Sequence, residues 1–93
     1  MAGHLGVPKL RLDQIGGNCP VQAEGFIAGV PFYFRARGQR WSFSVGRDPV
    51  GNPEWTHREP WGDDEFAAGW MPEETALELI AKAARLYMKD RAP

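Results

Sequence analysis

The sequence predicts an α+β fold, an antiparallel β-meander of three to four strands with one C-terminal amphipathic helix packed on the sheet. Three observations carry this. Between residues 21 and 45 apolar and polar positions alternate in short runs separated by glycine-bearing turns. From Pro72 onward the apolar period lengthens to that of a helix. A chain of 93 residues, 43 % hydrophobic and 25 % charged, suits one small domain with a thin core, burying roughly 60 to 65 % of its unfolded surface.

The elements follow in order. Residues 1–8, with Gly3, Gly6 and Pro8, read as a flexible tail, and residues 9–93 as a single domain. Lys9 to Ile15 alternates Leu10 and Leu12 against Lys9, Arg11 and Asp13, the pattern of a short edge strand. Gly16-Gly17-Asn18 breaks it, and a strand runs from Val21 to about Ile27. Ala28-Gly29 supplies a turn, and Pro31 suits a strand start, where no ladder donor is needed. Phe32, Phe34 and Ala36 then share one face while Tyr33, Arg35 and Arg37 share the other. Gly38-Gln39 turns the chain into a third strand with Trp41, Phe43 and Val45 inward. Turns this short force antiparallel pairing.

The helix starts near Pro72, a residue suited to a first helical position, with Glu73 and Glu74 at the positive end of the macrodipole and Lys89 and Arg91 at the negative end. Leu77, Ile80, Ala84 and Met88 form one stripe, widened by Ala76, Ala83 and Tyr87 and further by Leu79 and Leu86. That arc covers about 200°, whereas a helix resting on one sheet needs only ~100° or a little more. Something besides the sheet must cover the Leu79 and Leu86 side. The tryptophan-rich segment would do so in a monomer, the favoured reading, and a second copy would do so in a homodimer formed through the helix.

Residues 48–65 read as an acidic, proline-broken loop. Asp48, Glu54, Glu59, Asp63, Asp64 and Glu65 stand against Arg58, a net charge of −5 with His57 neutral. Trp55 and Trp61 lie inside the stretch and Trp70 just beyond it, more aromatic surface than a solvated linker uses. Residues 1–47 hold six cations against Asp13 and Glu24, a net of +4. The loop therefore either folds across the basic sheet, pairing charges at its edge, or turns an acidic aromatic face outward to a basic partner.

Catalytic and metal chemistry find little support. Cys19, the only cysteine, sits between Asn18 and Pro20 without a cation or helix N-terminus to activate it, so pairing with His4 or His57 as a nucleophile is disfavoured. His57, Glu59, Asp63, Asp64 and Glu65 match no established metal spacing, and adjacent Asp63 and Asp64 diverge too far to act as an acid and base pair. No glycine-rich phosphate loop opens a helix. The expectation is a protein that is not an enzyme and needs no metal or cofactor. No apolar run reaches the ~18 residues of a membrane span and no signal h-region leads the chain, so the expected compartment is the cytoplasm, with no membrane contact.

The strings Asn18-Cys19-Pro20-Val21-Gln22-Ala23-Glu24-Gly25 and Pro31-Phe32-Tyr33-Phe34-Arg35-Ala36-Arg37-Gly38, followed by Trp41, resemble small uncharacterised proteins encoded by phages, prophages and other mobile elements of bacteria. The similarity continues through Gly69-Trp70-Met71-Pro72-Glu73 and the helix. Proteins of this genre include the anti-CRISPR inhibitors, which commonly block a basic nucleic-acid-binding surface of a Cas complex. The resemblance supplies context and no site residues; together with the acidic, tryptophan-bearing loop it points to a non-enzymatic inhibitor acting in the host bacterial cell. Its partner-binding residues would be Glu54, Trp55, Glu59, Trp61, Asp63, Asp64 and Glu65, presented to a basic protein surface such as a CRISPR-Cas subunit. The alternative is a small nucleic-acid-binding regulator using Tyr33, Arg35, Arg37 and Arg40 on the wet sheet face. Direct nucleic-acid binding is the less favoured of the two, because the loop acids would oppose a phosphate chain.

Overall fold

The computed structural model describes residues 6–17, 20–64 and 67–91. Five strands, β1 (Leu10–Gly16), β2 (Val21–Ile27), β3 (Val30–Arg37), β4 (Arg40–Val45) and β5 (Trp55–Pro60), pair antiparallel in chain order, and one helix, α1 (Glu73–Arg91), follows. This is the expected α+β meander with one strand more than anticipated. The addition is β5, which lies inside the stretch that reads as an acidic loop.

Turn chemistry fixes the register. Ala28 and Gly29 both take positive φ, +53° and +80°, as a two-residue type I′ connection between β2 and β3 requires. Gly38, at +65°, provides the left-handed first position of the β3–β4 turn. Between β4 and β5 the chain makes a longer detour, in which Asp48 Oδ1 accepts the Gly51 N–H at 3.0 Å and the Asp48 carbonyl accepts that of Asn52 at 2.8 Å. Asp48 is thus spent on a local turn.

The inner face of the sheet is aromatic. Three cross-strand rows, Val21–Ala36–Trp41–Glu59, Ala23–Phe34–Phe43–His57 and Gly25–Phe32–Val45–Trp55, point toward α1. Phe32 stacks on Phe43 at 4.8 Å, and Phe34 lies 5.8 Å from Trp41. Small helix residues meet these large rings: Ala76, Ala83 and Ala84 are fully buried beside Ile80 and Tyr87. Gly25 serves the same economy on the sheet, since a Cβ there would run into the Arg11 carbonyl of β1 and, at 2.9 Å, the Phe32 ring. Val7, within the segment that reads as a tail, is also buried.

Residues 61–64 and 67–72 cross the open end of the meander and deliver the chain to the helix. The Trp61 N–H donates to the Gln39 carbonyl at 2.7 Å and the Ala68 N–H to that of Gly38 at 2.9 Å, tying this segment to the β3–β4 turn. Ala68 and Met71 are buried beneath it. The Pro72 carbonyl accepts the Ala76 N–H at 3.0 Å, which opens the helix. No helix among the described residues is long and apolar enough to cross a membrane.

Candidate functional site

Because α1 covers one face of the sheet, the strict alternation of the strands sends every second side chain to the uncovered face. Its rows follow from the register: Gln22–Arg35–Ser42–Arg58 runs across β2 to β5, Glu24–Tyr33–Ser44–Thr56 lies beside it, and Arg37–Arg40–Pro60 closes the end. Arg35, Arg37, Arg40 and Arg58 therefore share one corner. Arg35 and Arg58 flank Ser42 on neighbouring strands, about 10 Å apart at the backbone. Arg37 and Arg40 oppose each other directly across the hairpin, an arrangement that like charges disfavour.

Among the described residues none of the four has an acidic partner. Ion pairs among the described residues join Arg11 to Asp13 at 2.9 Å and Glu59 to His57 and Lys82. The result is a shallow depression of about 380 Å³ lined by Arg35, Arg37, Gly38, Gln39, Arg40 and Ser42, positively charged through its three guanidinium groups. Tyr33 borders it, half-buried, its hydroxyl donating to Gln22 Oε1 on β2.

The residues expected to form an acidic, tryptophan-bearing face fall in different surroundings. Trp55 and Glu59 are inward positions of β5. The Trp55 indole N–H donates to Asp90 Oδ2 of α1 at 2.8 Å, and its ring meets Tyr87 edge-on at 5.3 Å. Glu59 accepts from His57 Nε2 at 2.8 Å and from Lys82 Nζ at 2.9 Å, and these hydrogen bonds, His57 first and Lys82 second, hold its carboxyl below the ordinary carboxylate value. Trp61 is half-buried against the core. Glu54 is exposed just before β5, whereas Asp63 and Asp64 are exposed just beyond its other end. Glu65, like Cys19 and His4, lies outside the described residues.

His57 packs between two indoles, 5.6 Å from Trp41 and 6.2 Å from Trp55, and spends its Nε2 on Glu59, so it braces β5 against β4. Among the described residues no three His, Cys, Asp or Glu side chains gather at metal-binding distance.

The arginine corner contains Tyr33, Arg35, Arg37 and Arg40 as the alternation implies, and adds two residues that the sequence reading passed over. Arg58 hides among acids, and Ser42 reads as an ordinary wet strand position. The signal for Arg58 was the alternation itself, Trp55, His57 and Glu59 on one side against Thr56 and Arg58 on the other. No family model, curated protein or solved structure matches the chain.

Proposed function

We propose that the protein binds single-stranded nucleic acid along the uncovered sheet face, with Arg35, Arg37, Arg40 and Arg58 on the phosphates and Tyr33 as a stacking ring. The observation that carries this reading is the four-arginine corner that has no acidic partner among the described residues. A phosphodiester set among these side chains relieves the Arg37 and Arg40 repulsion and accepts charge-assisted hydrogen bonds from planar guanidinium groups. The Ser42 hydroxyl, between Arg35 and Arg58, adds a neutral donor. Five strands span about 20 Å from first to last, wider than the ~12 Å major groove, so a splayed single strand suits the face better than a duplex. The dispersal of the acids weakens the electrostatic objection, since Asp48 is folded into its turn and Glu59 faces the helix.

The test is binding of a labelled oligonucleotide of about 12 residues, followed by anisotropy at several salt concentrations. Log affinity should fall with log salt at a slope of up to about −3, the value for four phosphates on a single strand. Arg35→Ala with Arg58→Ala should weaken binding more than tenfold and flatten the slope by about 1.4. An unchanged affinity in that double variant would remove the face from consideration.

A second reading is favoured by Trp70, which is 63 % exposed on the same crossing segment as Asp63 and Asp64. In it the protein is a mobile-element inhibitor that docks this segment, with Glu54, Trp55, Glu59, Trp61 and Glu65 as the wider candidate set, on a basic protein surface such as a CRISPR-Cas subunit. Asp63→Lys with Trp70→Ala should then abolish binding to a purified Cas complex while leaving oligonucleotide binding in place. Undiminished capture of the complex by that variant would exclude the inhibitor reading.

A further inference from the structure

We propose that the cleft beside the arginine corner is a base pocket selective for guanine; this rests on the nucleic-acid reading above and names the base that the face selects. The cleft, about 320 Å³, lies on the same uncovered face and is lined by Gln14, Gly16, Gly17, Gln22, Glu24 and Tyr33. Register joins it to the phosphate contacts: Gln22 pairs with Arg35, and Glu24 with Tyr33. A strand whose phosphates follow the arginines therefore brings a base over Tyr33 and into this cleft.

Glu24 is the feature that calls for an explanation. It is exposed, it forms no ion pair among the described residues, and it stands beside a row of arginines on a face otherwise suited to anions. Asp13, the other acid of the β1–β2 side, is neutralised by Arg11. A carboxylate repels phosphate, so in a purely backbone-binding face it is a defect. In a base pocket it is a reader, because its two oxygens accept two adjacent donors. Among the four bases only guanine offers such a pair on its Watson–Crick edge, N1–H beside the 2-amino group. Adenine and cytosine offer one exocyclic amino group each, and thymine or uracil a single imino N–H.

The neighbours complete the match. Gln22 accepts the Tyr33 hydroxyl on its Oε1, which leaves its amide NH2 available as a donor for guanine O6. Gln14, paired with Glu24 across β1 and β2, supplies a second amide at the cleft wall. Gly16 leaves the floor clear, for a Cβ built there meets nothing within 4 Å and would project into the opening. Stacking on Tyr33 is tolerant of base identity, so selectivity must come from the hydrogen-bonding side chains.

The experiment uses the full chain and a series of oligothymidines of about 12 residues that differ only at one central position. With guanine there, binding should be at least about 5-fold tighter than with adenine, cytosine or thymine, as a bidentate pair provides. Inosine, which lacks the 2-amino group, should lose most of that gain. Glu24→Gln should erase the guanine preference and raise affinity for the all-thymidine strand, since a carboxylate leaves the phosphate path. If the wild-type protein binds all members of the series within about twofold, guanine selection falls while the arginine-face reading stands. If no strand binds, the reading falls and guanine selection with it. If Glu24→Gln keeps the guanine preference, the reader is not this carboxylate.

Discussion

Glu59 joins β5 to the helix, and its protonation state carries a predictable share of stability. His57 and Lys82 both donate to it, so its folded-state pKa lies below the ordinary value of 4.5. For a carboxylate depressed on folding, the stabilisation is complete above about pH 4.5 and fades as pH falls through the lower folded-state value. Glu59→Gln should therefore cost less than about 1 kcal/mol at pH 7, because Lys82 is half exposed and the pair partly solvated, and that difference should shrink in acid. Urea melts at pH 7 and pH 3 measure it, and a gap that widens on acidification would contradict the assignment. Trp55 makes a separate link: its indole N–H to Asp90 is absent in Trp55→Phe, which should lose about 1 kcal/mol. In a double-mutant cycle with Asp90→Ala the coupling should fall near that figure, whereas additive losses would mean that the hydrogen bond contributes nothing.

At the scale of elements, close approach of the helix depends on its small residues. Ala76, Ala83 and Ala84 have no exposed surface, and the rings of Phe32, Phe34, Trp41 and Phe43 fill the space beneath the helix. Ala84→Leu should destabilise by about 1 to 3 kcal/mol through overpacking, although leucine is nearly as good a helix former as alanine. A midpoint of urea unfolding equal to that of the wild type would show room that the packing denies. The strands divide by legibility for a related reason. β2, β3 and β4 lie under the helix, so their inward positions are apolar and their alternation is plain in Val21-Gln22-Ala23, Phe32-Tyr33-Phe34 and Trp41-Ser42-Phe43. β5 is an edge strand, and its inward positions after Trp55 are His57 and Glu59, polar residues satisfied by each other and by Lys82. A strand whose inner face is hydrogen-bonded shows no hydrophobic period, which is why Trp55–Pro60 reads as loop and why Arg58 escaped the arginine set. Glu24 was equally hidden, since its meaning depends on which residue lies across from it.

On the scale of the whole molecule, a near-neutral chain of net charge −1 gathers four arginines at one corner of the uncovered face. The helix on the opposite face bears on assembly. The helix's apolar arc, about 200° by sequence, suggested either a covering segment or a second copy. Leu79 and Met88 pack against the core together with Trp55 and Trp61, and Leu77 and Leu86 are half-buried. The large hydrophobics that stand exposed among the described residues are Val50 and Trp70, neither of them on the helix. A two-fold helix contact would thus bury little bare apolar surface, short of the ~1,000 Å² that a specific interface needs. Sedimentation equilibrium should give a single species at the 10.4 kDa of the chain. Leu86→Glu should leave that mass unaltered and lower stability by about 1 to 2 kcal/mol, as a half-buried position can turn its new carboxylate partly to water. A wild-type dimer that Leu86→Glu converts into an equally stable monomer would reverse this, making the helix an interface and its half-buried leucines the contact.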